Sequence, residues 1–115
     1  MRLRRSATAA LGALTLALTV PTSASAADGQ FRYTYLTDEG YEAVGFLNNP
    51  PSGECINLYG VGSNDLRPGY SPKNRTDATA VVFLNADCKG DTFFSLRPHT
   101  GGGSERLKVR SVVFS

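Results

Sequence analysis

Short apolar runs, each broken by turn-forming residues, fill the chain from residue 31 onward. They are FRYTYL (31–36), YEAVGFL (41–47), CINLY (55–59), TAVVFL (79–84), DTFFSL (91–96) and LKVRSVVF (107–114). In the first, Phe31, Tyr33 and Tyr35 alternate with Arg32 and Thr34, the period of two that a half-buried strand needs. No segment beyond residue 26 keeps apolar residues at i, i+3, i+4 and i+7 for three turns, so a packed helix has no stripe to bury. The spacers NNPPSG, GVGSNDLRPG and RPHTGGGS carry the Gly, Pro, Asn and Asp of tight turns. VVFLNADCKG (81–90) is the most compact case: β-branched residues, too few for a helix, stop at Asn and Asp and enter a turn that holds a cysteine. The pattern predicts an all-β chain.

Setting VGFLNNPPSGE (44–54) over VVFLNADCKGD (81–91) gives a match at a constant offset of 37 residues. Val44 falls on Val81, Phe46 on Phe83, Leu47 on Leu84, Asn48 on Asn85 and Gly53 on Gly90, with Glu54 over Asp91. The match predicts two copies of one supersecondary unit. Each would run as an apolar strand, a folded-over turn, a second strand and a strand that returns after a longer excursion, the order of a Greek key. The first copy would cover about 41–77 and the second about 79–115, packed face to face as a small β-sandwich. Gly53 and Gly90 would sit where the backbone takes φ > 0 or passes close to another segment.

Ahead of these runs the chain reads MRLRRS, then 14 uncharged residues, ATAALGALTLALTV, then PTSASA. A basic head, an apolar stretch and small residues make the layout of a secretory signal peptide, and Ala24-Ser25-Ala26 fits the A-x-A cleavage rule. Residues 1–26 are therefore expected to be removed, leaving 27–115 as one domain. A helix of that apolar length reaches only about 21 Å across a hydrocarbon core of roughly 30 Å, so no membrane attachment is expected after cleavage.

Export changes the charge. The whole chain has 12 Lys and Arg against 10 Asp and Glu, a net of +2. Arg2, Arg4 and Arg5 leave with the leader, so nine basic residues face ten acidic ones and the net becomes −1. The basic total thus gives no ground for a nucleic-acid partner. Cys55 and Cys88 are the only cysteines, and in an oxidising environment they are expected to form one disulfide. Closing that loop would contribute about 3 to 4 kcal/mol in the chain-entropy model. A metal pair or a catalytic thiol is the competing use, but two cysteines and one histidine make a poor zinc set.

Phe83, Cys88, Gly90 and Ser111 stand at the spacing of a βγ-crystallin motif: an aromatic residue, a second and usually aromatic one five on, Gly two further, and Ser about twenty later. The segment 79–114 resembles that motif, and the resemblance implies that Ser111 hydrogen-bonds back onto the folded hairpin as a structural latch. The first unit departs from it. Phe46 and Gly53 fill the aromatic and glycine places, but 21 residues beyond Gly53 stands Asn74, which could still cap a turn through its amide. Cys88 in place of the second aromatic implies that the disulfide takes over packing there. The chain as a whole looks like the small secreted bacterial two-motif members. Relatives of that shape include metalloproteinase inhibitors, killer-toxin-like proteins and calcium-binding domains, so fold alone selects none of them.

The chemistry narrows this set. Calcium-binding members place Asp or Asn just upstream of a Ser/Thr-Ser pair, whereas RLKVRS (106–111) puts cations there, so no metal and no cofactor is expected. Asp38, Glu39 and Glu42 could hold an ion only weakly. His99 is the sole histidine, neither H-E-x-x-H nor G-x-S-x-G occurs, and Asp87 and Asp91 beside Cys88 read as turn formers, so no enzyme is expected. LRPGYSPKNR (66–75) and SLRPHTGGGSERL (95–107) read as long loops in equivalent places of the two units. They carry Arg67, Tyr70, Lys73, Arg75, Arg97, His99 and Arg106, residue types suited to recognition. The leading expectation is a secreted, monomeric, non-enzymatic domain that recognises an extracellular protein such as a protease. A metalloproteinase inhibitor is the alternative and a killer-toxin-like antimicrobial protein the third. Asn74-Arg75-Thr76 also matches a glycosylation sequon, to which no function is attached.

Overall fold

The computed structural model describes residues 26–115; the expected leader lies outside the described residues except for Ala26. Among the described residues nine strands form: β1 (Gly29–Leu36), β2 (Glu42–Asn48), β3 (Cys55–Asn57), β4 (Gly69–Thr76), β5 (Ala80–Phe83), β6 (Phe93–Leu96), β7 (Gly101–Gly102), β8 (Lys108–Val109) and β9 (Ser111–Phe114). They make two antiparallel sheets. The first has the order β2-β1-β4-β7, with β8 also paired to β4, and the second β3-β9-β5-β6.

The expected alternation places the core. Phe31 and Tyr33 of β1 turn inward from the first sheet and meet Val82, Val112 and Phe114 of the second. The rings of Phe31 and Phe114 meet edge to face at 5.6 Å. Full burial of such side chains is worth about 2 kcal/mol each, which drives the two faces together. The chain is thus an all-β sandwich carrying one disulfide.

Strand order corrects the expected repeat. β1 and β2 form a hairpin, β3 leaves to pair with β9 of the other sheet, and β4 returns beside β1. β5 and β6 likewise form a hairpin, β7 leaves to pair with β4, and β9 returns beside β5. The counterpart of 80–114 is therefore 29–76 and not 41–77, and each half lends its third strand to the other's sheet. The offset of 37 residues had laid β2, an edge strand, over β5, which lies between two neighbours. Phe46 accordingly stands 51 % exposed on the outer side of an edge. Phe-Leu-Asn closes β2 but leaves β5 at Phe83, so the two segments share letters without sharing surroundings.

Two further expectations change. Residues 69–76 are the central strand β4 and not a loop. Pro72, Asn74 and Thr76 point inward while Lys73 and Arg75 point out, so the period of two is present but written in polar residues and one proline. Pro72 is accommodated beside an irregularity: Ser71 has φ 51° and the pairing with β1 shifts between Arg32 and Thr34. Asn74 is fully buried yet satisfied, its Nδ2 donating to the carbonyls of Ala78, Leu96 and Arg97 at 2.7, 3.0 and 3.0 Å. Its Oδ1 accepts from the Thr76 amide and hydroxyl. The second change is in LKVRSVVF, which divides at Arg110 into β8 of the first sheet and β9 of the second.

Candidate functional site

The structure brings the expected covalent and latching groups to one place, the hairpin between β5 and β6. Cys55 and Cys88 are bonded with their Cα atoms 6.0 Å apart. The bridge ties β3, a three-residue edge strand lent by the first half, to the hairpin of the second. Ser111 Oγ donates to the Asn85 carbonyl at 2.6 Å and accepts from the Cys88 amide at 2.9 Å. Asn57 adds a reciprocal pair, its Nδ2 donating to Asp87 Oδ1 at 2.9 Å and its Oδ1 accepting from the Asp87 amide at 2.7 Å. Asp87 and Cys88 have φ of 62° and 52°, left-handed conformations that this set of partners holds in place. Asp87 is thereby engaged in structure.

Gly53 and Gly90 both take positive φ, at 78° and 91°. Asn74 caps the turn that follows β4 through Thr76 and Ala78, but it also grips the Leu96 and Arg97 carbonyls of the second half. Because Asn74 is completely buried, the sequon is closed to glycosylation in the folded chain.

The seven candidate recognition residues divide. Lys73 and Arg75 stand on the outer side of β4 and, with His99, Thr100, Gly101 and Gly102, line a cavity of about 360 Å³. His99, at φ 64°, is fixed there by its amide, which donates to the Thr76 carbonyl at 2.7 Å. Tyr70 lies along the same face in an adjoining cavity of about 350 Å³ that shares Lys73 and also meets Arg32, Glu42 and Glu105. Arg67 lies beside Pro68 and Leu36 at the far end of the domain, and Arg97 and Arg106 are exposed on the turns either side of β7. The two segments expected to be equivalent loops are a strand and a strap laid along it.

One residue of this face, Arg32, is not marked as a site residue by any motif in the sequence, and Phe46, which fills the aromatic place of the first unit, stands on the face beside it. Arg32 is paired across the strands with both Phe46 and Lys73, and its guanidinium lies 5.7 Å from the Phe46 ring. The alternation of Arg32 with Phe31 and Tyr33 already put it on the outer face; its neighbours depend on strand register, which no local pattern reveals.

Two phenols have shifted titrations. Burial, reinforced by the neighbouring Tyr35, pushes the Tyr33 phenol up to about 12, and its hydroxyl donates to the Tyr59 carbonyl at 2.8 Å. The Tyr70 phenol is pushed up chiefly by its hydrogen bond to the Glu42 carboxylate, at 2.7 Å. Glu42 is thus turned toward Tyr70, while Asp38 and Glu39 line a separate cavity with Tyr35 and Tyr59. Among the described residues no three His, Cys, Asp or Glu side chains gather as a metal site. Among the same residues no helix is long and apolar enough to cross a membrane.

Comparison with protein families, with curated proteins and with solved structures finds no match.

Proposed function

We propose that this chain is a secreted binding domain of the βγ-crystallin-like type, without a reaction of its own, that recognises an extracellular target through the outer face of its first sheet. One observation carries the proposal: Lys73, Arg75 and His99 are held on a strand and a pinned strap around a single cavity, with no acidic side chain in its lining. In a domain with more acidic than basic residues after export, two of the nine remaining cations stand side by side there, while Glu42 and Glu105 lie in the adjoining cavity.

The order of strands in each half, with the fourth returning beside the first, supports the Greek-key assignment. The contact of Ser111 with the folded hairpin supports the crystallin-like one. The disulfide agrees with an oxidising destination. Ala27, which would become the first residue after cleavage, has its side chain in the core and its amide donating to the Pro50 carbonyl at 2.8 Å, a bond the new ammonium can keep.

The test is retention of the oxidised 27–115 chain on envelope and secreted-protein fractions. Lys73→Glu and Arg75→Glu should each abolish it, while unchanged retention of both variants contradicts the proposal.

A second reading, inhibition of an extracellular proteinase, is favoured by the strap between β6 and β8. Backbone bonds from His99, Gly101, Gly103 and Leu107 hold it in one shape, so little order would be lost on entering a cleft. Inhibition assays against secreted metallo- and serine proteinases separate the two readings. Stoichiometric inhibition lost in Arg97→Ala supports this one, and no inhibition across both classes removes it.

A further inference from the structure

We infer that the ligand of the basic face is an acidic polysaccharide, a polymer bearing carboxylate or sulfate groups, laid across the strands of the first sheet; this rests on the binding-domain reading above. Three observations converge on that chemistry.

The first is the grid of charge. Lys73 and Arg75 are two residues apart on β4, roughly 6.7 Å, and Arg32 faces Lys73 from the adjacent strand roughly 5 Å away. Fixed cations repeated at that pitch suit a chain that presents one anionic group after another better than they suit a single small anion. The second is what lies between the charges. Gln30, paired with both Asn48 and Arg75, donates from its Nε2 to Asn48 Oδ1 at 3.0 Å and accepts from Arg32 Nε at 2.7 Å, which fixes the Arg32 guanidinium beside two amides whose remaining N–H groups can meet hydroxyls. The exposed half of the Phe46 ring, backed by Arg32, offers a flat apolar surface to the C–H face of a sugar. The third is the open border. β7 is Gly101–Gly102 and has no side chains, so a polymer can pass from the His99 cavity over Lys73 without obstruction.

Single-stranded nucleic acid is the competing polyanion. Recognition on sheet faces commonly uses several aromatic platforms to stack successive bases. Of the two rings along this face, Tyr70 is held by its hydrogen bond to the Glu42 carboxylate and by the Lys108 ammonium 5.2 Å from its ring, which leaves Phe46, backed by Arg32, as a single platform.

The experiment is affinity electrophoresis of the oxidised 27–115 chain in gels containing polygalacturonate, dextran sulfate, neutral dextran or a single-stranded oligonucleotide. Retardation by polygalacturonate or dextran sulfate, with none by neutral dextran, is expected, and the arm that responds identifies the anion. Raising salt from about 0.05 M to about 0.5 M should weaken it, as for any contact between exposed charges. Lys73→Glu and Arg75→Glu should each weaken binding at least about tenfold. Lys89→Glu, the same change of charge on the second hairpin, should leave it within about twofold. Phe46→Ala should weaken it without altering the salt dependence. Equal retardation by neutral dextran, equal loss in Lys89→Glu, or binding to the oligonucleotide as tight as to either polysaccharide each overturns the inference. If the domain holds envelope fractions through Lys73 yet ignores both acidic polysaccharides, the binding-domain reading stands and this one fails.

Discussion

The hairpin between β1 and β2 and the hairpin between β5 and β6 occupy the same place in their halves, yet they are restrained in opposite ways. The first closes five residues between Leu36 and Glu42, and the second nine between Phe83 and Phe93. In the first, Thr37 and Tyr41 bond each other, Gly40 bonds back to Thr37 at φ 91°, and a Cβ added to Gly40 would meet nothing. In the second, the longer segment folds over and is met from outside by Cys55, Asn57, Asn64 and Ser111. A five-residue turn can satisfy its own backbone. A nine-residue one cannot, and partners must come from elsewhere in the chain.

Breaking the bridge is the sharpest way to test that contrast. Cys55→Ser with Cys88→Ser should cost about 2 to 5 kcal/mol in urea unfolding, because the loop is freed and β3 keeps only its short pairing with β9. In hydrogen exchange the loss should appear first in β3 and the second hairpin, with β1 and β2 following only at global unfolding.

The first half is held from beneath, by Tyr33 in the core. Gly45, across from it on β2, leaves the space the ring occupies, since an added Cβ there would collide with Tyr33 Cζ. Tyr33 has a raised pKa in the folded state, so its contribution is complete below pH 10 and is lost as pH rises from 10 toward about 12. Over that window stability should fall by about 2 kcal/mol at most, since solvent partly reaches the hydroxyl, and Tyr33→Phe should remove this part of the slope in a pH series of denaturant melts.

Ser111→Ala leaves the Asn85 carbonyl and the Cys88 amide without their partner and should cost about 2 kcal/mol. Thr37→Ala removes one exposed bond to the Tyr41 amide and should cost about 0.5 kcal/mol or less. Similar losses for these two hydroxyls would erase the distinction between the hairpins.

How much of this could be read in advance follows the same division. Phe31 and Tyr33 announce their burial by alternation, whereas Val82 and Phe114 lie in continuous apolar runs that do not mark which side faces the core, and the two cysteines allow a single intrachain pairing. Ser111 stands out in the sequence only by its spacing from Phe83 and Gly90, and its hydroxyl bonds the Asn85 carbonyl and the Cys88 amide. β4 was hidden because its inward residues are Pro72, Asn74 and Thr76, whose burial is tolerable only through partners contributed by residues 78, 96 and 97. β7 was hidden because two glycines become a strand only by lying against β4. The basic face falls between these cases: Lys73, Arg75 and His99 were singled out by type, whereas Arg32 and Phe46 join them through register alone.

The face itself is tested most directly by amine labelling, because the chain's three lysines, Lys73, Lys89 and Lys108, report on different places. With the oxidised domain bound to its target fraction, Lys73 should be protected while Lys89 on the second hairpin reacts as in the free protein. Lys73 reacting at its free rate while Lys89 is protected would place recognition on the latched hairpin and contradict the role assigned to the first sheet.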